Sequence, residues 1–153
     1  MHIHANDPLH VQSPATKADF QASWIIALAF VAVLGIVFVA VELLCLGLQR
    51  FGVEPRTLSG LFGVLAAPLL HADFMHLVSN ALPLAIAGTA MLFLYPDASR
   101  IVLPAIYVGP GIAVWLFGRG SIHFGASGLV YGLVTYVFMA GMIRRDRRAI
   151  TAS

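Results

Sequence analysis

The amino-acid sequence predicts an all-α protein, a polytopic bundle of membrane-spanning helices. Hydrophobic residues make up 59% of the chain and charged residues only 10%, whereas a soluble domain carries about 25% charged residues. The mean hydropathy is +0.89, and the apolar residues are concentrated in four long stretches. Helices satisfy their own backbone hydrogen bonds inside a bilayer, so a helical bundle is the structure expected from such stretches.

The N-terminal region divides into a tail and a first span. Residues 1–20 are polar and lack periodicity, which predicts a flexible tail before a membrane domain over residues 21–143. Residues 24–48 are almost wholly apolar. As a helix this run is about 37 Å long, enough to cross a hydrocarbon core of about 30 Å with some tilt.

A long connection, residues 49–75, follows the first span. It contains several glycines and prolines, yet residues 58–67 are too apolar for an ordinary solvated loop. We therefore expect short helical pieces that lie in the membrane interface.

Three further spans complete the predicted bundle. Residues 76–95 form the second, interrupted by Pro83, and residues 101–117 the third, short and broken by Pro104 and by Gly109–Gly111. Residues 125–142 form the fourth, before a basic tail over residues 144–153. Gly128 and Gly132, four residues apart, predict a close-packing face for a neighbouring helix.

The positions of the basic residues predict the topology. Four arginines crowd into residues 144–148, and directly after an apolar helix such a cluster favours a cytoplasmic end over nucleic-acid binding. With both termini in the cytoplasm, six basic residues lie inside and three outside: Lys17, Arg100, Arg144, Arg145, Arg147 and Arg148 against Arg50, Arg56 and Arg119. The positive-inside rule favours this orientation.

Polar side chains at the outer ends of two spans are the candidate functional residues. Ser127 lies in a Gly-Ala-Ser-Gly sequence at the start of the fourth span, and His76 and Asn80 share one face of the second. An imidazole and an amide can both donate to a developing oxyanion, and a serine at a helix N-terminus lies where negative charge is favoured. This pattern is typical of a nucleophile with an oxyanion site.

Other interpretations of the same residues remain. Glycine next to serine in a membrane helix often serves packing alone. His71, Asp73 and His76 could instead hold a metal ion, but they do not share a helical face, so we expect no metal and no cofactor. A small transporter or channel subunit would need charges in mid-span, and the spans have none.

Taken together, His71, His76 and Asn80 opening one membrane helix and His-Phe-Gly-Ala-Ser-Gly (residues 123–128) opening another closely resemble the rhomboid family of intramembrane serine proteases. The resemblance covers roughly residues 24–143. It implies a bundle of six core helices, four of them present, that cleaves transmembrane protein substrates in the bilayer, here a bacterial inner membrane. Ser127 would be the nucleophile. His76 and Asn80 would be oxyanion donors, supported by His71, Gly125, Gly128 and Tyr131, with Tyr131 packing on the general-base imidazole.

The resemblance is incomplete at the general base, a histidine that the family carries on its sixth helix. The chain ends at Ser153, about ten residues past the fourth span, so we expect either a fragment or a shortened relative that is inactive alone. The rival hypothesis is a non-catalytic rhomboid-like protein that binds transmembrane segments without cutting them. Neither the substrate nor the oligomeric state follows from the sequence.

Overall fold

Five α-helices and two short 3-10 turns form the protein, a computed structural model that describes residues 14–151, with side chains over residues 16–143. The α-helices are α1 (Pro14–Leu43), α2 (Leu58–Ala66), α3 (Phe74–Leu94), α4 (Pro96–Phe117) and α5 (Ser127–Thr151). The 3-10 turns cover Leu48–Phe51 and Ala67–Leu69. The all-α helical bundle predicted from the sequence is confirmed.

Three helices in the described part of the chain are long and apolar enough to cross a membrane: Thr16–Leu43, Phe74–Leu94 and Pro96–Phe117. In α5 the apolar part, Ser127–Ile143, is shorter and extends about 25 Å at 1.5 Å per residue. The helix continues beyond it into the arginine cluster.

The first helix begins earlier than predicted. Residues 14–20, assigned to a flexible tail, are already helical, and residues 1–13 lie outside the described residues. The helix also ends at Leu43, five residues before the predicted end. The tail prediction was wrong for residues 14–20 because hydropathy alone located the boundary, whereas polar residues continue a helix readily once an apolar face anchors it.

The second and third spans are unbroken, contrary to the prediction. Pro83 lies inside α3 and Pro104 and Pro110 lie inside α4, and both helices run through them. In a packed membrane bundle neighbouring helices and local adjustments re-satisfy the backbone groups that proline frees. Pro96, at the start of α4, is where the chain turns between the two helices.

Local caps explain where the helices of the middle region begin. The Thr57 hydroxyl accepts a hydrogen bond from the Gly60 N–H (3.0 Å) at the start of α2. The Asp73 carboxylate accepts one from the His76 N–H (2.8 Å) at the start of α3. Each satisfies one of the four N–H groups that a helix leaves unpaired at its N-terminus. The short helical pieces predicted for the connection are therefore present.

The core lies between α1, α3 and α5. Leu34 of α1, Met91 of α3 and Leu133 of α5 are almost completely buried in one apolar cluster. On the other face of α5, Gly128 and Gly132 pack against Pro110 and Ile106 of α4. The close-packing glycine face predicted from the sequence is thus occupied by α4.

Arg56 fastens the connection to the end of α4. The Arg56 guanidinium donates to the carbonyl oxygens of Leu116 and Gly118 (3.2 Å each). The Arg56 backbone N–H donates to the carbonyl oxygen of Trp115 (3.0 Å). The Trp115 indole N–H donates back to the Thr57 carbonyl (2.7 Å). A cation at a helix C-terminus satisfies unpaired carbonyls and interacts favourably with the helix dipole. These bonds place the connection at the end of the bundle where α3 and α5 begin.

Candidate functional site

A cavity of about 370 Å³ opens at the end of the bundle where α3 and α5 begin and α4 ends. Its wall is drawn from the connection, three helices and the loop before α5. The residues that line it are Val53, Ala67, Pro68, Ala72, His76, Tyr107, Pro110, Gly111, Val114, Ile122, His123, Phe124, Gly125, Ser127, Gly128 and Leu129. The wall is largely apolar, with few polar groups, as in most ligand-binding clefts.

Ser127 lies on this wall as the first residue of α5 and is half-buried. Its backbone N–H belongs to the four that an α-helix leaves unpaired at its N-terminus, and the helix dipole favours negative charge there. The hydroxyl and an N–H suited to an anion therefore lie beside one cavity.

The loop before Ser127 is fixed by the connection. His123 and Val53 form an isolated antiparallel bridge, with N–H to carbonyl distances of 2.7 and 2.9 Å. The Gly125 N–H donates to the Ala67 carbonyl (2.8 Å). The sequence did not predict the contact between Gly125 and Ala67, because the apolar pattern of residues 49–75 carries no signal for a partner about 60 residues away.

His76 lies in the first turn of α3, and its ring contacts the backbone of Gly125. A Cβ atom added to Gly125 would come 2.6 Å from His76 Cε1 and 2.7 Å from Nε2. Gly125 also has φ +121°, a conformation that side chains disfavour. The structure therefore brings His76 and Ser127 to the wall of the same cavity, which Gly125 also lines.

Asn80 is one turn further along α3 and is buried, at 4% exposure. Its Nδ2 donates to the His76 carbonyl (2.8 Å), and it is not among the residues that line the cavity. An amide nitrogen carries two hydrogens, so one N–H remains beyond this bond. Of the two predicted oxyanion donors, only the His76 side chain reaches the wall.

His71 packs beside His76 rather than on the cavity. Its exposure is 3%, its ring meets the His76 ring edge to face (centroids 5.2 Å apart, planes at 69°), and neither ring nitrogen has a hydrogen-bond partner of standard geometry. Burial, and next the charge of His76, hold the pKa of His71 below its usual 6.5, and the Leu69 carbonyl only partly offsets them. An unsatisfied buried polar group costs about 1–3 kcal/mol.

The remaining predicted residues have simpler surroundings. Tyr131 is 72% exposed on α5, and Gly128 lines the cavity against Pro110. Asp73, considered as a metal ligand, is used as the cap of α3. Over the described residues, no group of three His, Cys, Asp or Glu side chains is arranged to hold a metal ion.

His123 is the second imidazole on the wall. Its Nε2 lies 3.2 Å from both the Ser121 hydroxyl and the Arg119 carbonyl oxygen, in the loop that leads to Ser127. The ring is thus bonded within its own loop.

Comparison with known proteins gives the family. The Rhomboid domain matches residues 58–151, more than half of the chain. An uncharacterized protein of Mycobacterium bovis is 34% identical over 146 residues, which cover 88% of this chain and 60% of that protein. A protein of Mycobacterium tuberculosis shows the same values, and one of Mycobacterium leprae is 31% identical, with 86% and 57% covered.

The chain spans about 60% of the length of the mycobacterial relatives it matches. No solved structure shows a significant match to it. The matched domain begins at α2 and includes every residue of the cavity wall except Val53. Together with the membrane-length helices, the match shows that the chain is an integral membrane protein and belongs to the rhomboid family.

Proposed function

We propose that the cavity is the nucleophile and oxyanion side of an intramembrane serine endopeptidase that cleaves transmembrane protein substrates. The observation that carries the proposal is the placement of Ser127, at a helix N-terminus, on one cavity wall with the His76 imidazole. Attack by the Ser127 hydroxyl on a peptide carbonyl would place the oxyanion near the Ser127 N–H and the His76 ring. Preorganised donors of this kind supply much of the rate in acyl transfer.

Asn80 is proposed as a further oxyanion donor through its second amide hydrogen. It would act together with His76, whose carbonyl already holds the first N–H. The same bond also favours the rival function: a side chain satisfied by its own helix contributes to packing without catalysis. A non-catalytic membrane protein that binds transmembrane segments is therefore the second candidate.

The general base is the missing part of the proposed site. His76 lies on the oxyanion side, and His123 is bonded within its own loop. A serine without a positioned base is a weak nucleophile, and general-base assistance contributes about 10²–10⁴-fold. We therefore propose that residues 1–153 alone do not hydrolyse peptide bonds and that the base comes from outside the described helices.

Chemical rescue tests the proposal on the chain as it exists. The purified protein is treated with a fluorophosphonate probe in increasing concentrations of imidazole, beside its Ser127→Ala and His76→Ala variants. Imidazole can accept the proton as the serine oxygen displaces fluoride from phosphorus. We expect labelling that rises with imidazole, requires Ser127 and is weakened by His76→Ala.

Two outcomes would change the assignment. A folded chain that shows no Ser127-dependent labelling at any imidazole concentration would support the binding protein. Ser127-dependent cleavage of a transmembrane reporter without imidazole would show that His71, His76 or His123 serves as the base.

A further inference from the structure

We propose that His71 is a positioning residue for His76: its edge-to-face ring contact, together with the contact at Gly125, limits rotation of the His76 ring and holds that ring at the cavity. The inference rests on the proposed function, because the orientation of His76 matters only if it donates to an oxyanion. The resemblance gives His71 only as a support of the oxyanion donors, and the ring contact with His76 indicates how that support would act.

The first argument is that the His76 ring has two close contacts. Its Cε1 and Nε2 approach the Gly125 backbone so closely that no side chain would fit there. The His76 ring also meets the His71 ring edge to face, with centroids 5.2 Å apart. Aromatic rings prefer this geometry, so the two contacts together leave the His76 ring little freedom to rotate.

The second argument is that His71 is poorly explained by packing. His71 lines a small pocket together with Phe38, Val41 and Gln49, and no carboxylate, Lys or Arg lines it. Both ring nitrogens of His71 are buried and lack a hydrogen-bond partner of standard geometry. An apolar side chain of similar size would avoid that cost, so the imidazole is a poor choice for stability alone.

The third argument is electrostatic. Burial lowers the pKa of His71 and so favours its neutral form. A neutral, aromatic neighbour can support His76 whether or not His76 is charged. A second cation 5 Å away would repel it.

The test compares two apolar replacements in the full chain: His71→Leu, which fills the space without a ring, and His71→Phe, which keeps the ring. Both remove the unpaired nitrogens, so both should unfold at or above the wild-type temperature. The first readout is the NMR chemical shift of the Gly125 amide, which the ring current of His76 displaces. We expect His71→Leu to lose the Gly125 shift and His71→Phe to retain it.

The second readout is imidazole-rescued labelling of Ser127. A misplaced donor should slow it about 10- to 100-fold in His71→Leu, with recovery in His71→Phe. If Ser127 is never labelled, the proposed function fails, whereas the Gly125 shift still decides the positioning role.

Three results would overturn the inference. The first is an unchanged Gly125 shift in a folded His71→Leu protein, and the second is equal loss of that shift in both variants. The third needs no variant: a His76 ring that samples several orientations in the wild-type protein would show that His71 does not hold it.

Discussion

At the scale of single residues, the site depends on the close approach of a ring to the protein backbone. His76 and Gly125 belong to different helical regions, yet the ring fits only because Gly125 lacks a side chain. The positive φ of Gly125 is a second requirement at the same position. Because two independent constraints act on Gly125, we expect its substitution to lower the stability of the protein strongly.

Gly125→Ala should therefore destabilise the protein and displace His76. The strained backbone alone costs on the order of 1–3 kcal/mol, and the added methyl would collide with the imidazole. Thermal unfolding in detergent and imidazole-rescued labelling of Ser127 measure the two effects. Gly120→Ala is the matched control, since a Cβ there meets nothing within 4 Å; equal stability of the two variants would contradict the account.

The pKa of His71 predicts how stability changes with pH. The pKa of His71 in the folded protein is below the unfolded value of 6.5, so well above pH 6.5 the imidazole is neutral in both states and its protonation does not change stability. Below pH 6.5 the unfolded chain gains a proton that the folded chain does not, and stability falls by up to about 1.4 kcal/mol per pH unit.

Thermal unfolding between pH 8 and pH 5 checks this sign. The difference between His71→Leu and wild type should grow in favour of the variant as the pH falls below about 6.5. The titration of carboxylates changes the free energy of unfolding equally in both proteins, so it cancels in the difference between the variant and wild type. A difference that is constant over this range would show that His71 titrates normally in the folded protein.

At the scale of helices, α4 and α5 pack through glycine. A Cβ on Gly128 would lie 2.6 Å from Pro110 Cβ, so Gly128→Ala should push the two helices apart at a cost of roughly 1–3 kcal/mol. Gly109, in α4, has nothing within 4 Å of its own Cβ position. Gly109→Ala should then be neutral or stabilising by about 0.5–1 kcal/mol. Thermal unfolding measures the stability of both variants. Equal destabilisation by Gly128→Ala and Gly109→Ala would show that close packing at Gly128 does not stabilise the bundle.

Arg56 is the other element-scale contact that stability measurements can test. Arg56→Ala removes two hydrogen bonds to the end of α4 and, because the side chain is exposed, should cost about 1–2 kcal/mol. Arg50→Ala is the matched control. The Arg50 guanidinium lies 5.0 Å from the centroid of the Phe51 ring, so its removal should lower stability by less. If Arg50→Ala lowers the free energy of unfolding as much as Arg56→Ala, the loss comes from the changed net charge and not from the hydrogen bonds of Arg56.

At the scale of the whole molecule, we expect from the positive-inside rule that the end of the bundle with the cavity faces away from the cytoplasm. A reporter fused after Ser153 should behave as cytoplasmic, and one inserted at Gly120 as external, because α5 separates them. The inserted reporter is also a control for insertion of the bundle. External activity of the reporter fused after Ser153 would show that the bundle has the opposite orientation in the membrane.

The sequence by itself determined the fold class, the family and three of the four predicted helices of membrane length; the apolar part of α5 is shorter than the other three. These follow from apolar length and from short motifs, both of which are local properties of the chain. The sequence also singled out Ser127, His76 and Asn80, because polar groups are costly next to hydrocarbon. It wrongly placed breaks at the prolines of α3 and α4, since proline acts on a helix according to what surrounds it.

Only the tertiary structure decided which of these residues meet. It placed His76 on the cavity with Ser127, turned the Asn80 amide back to its own helix and buried His71 behind His76. It also joined Val53 to His123 and Arg56 to the end of α4. The last two contacts connect residues roughly 60 to 70 positions apart in sequence, and their geometry depends on packing between elements that no local pattern specifies.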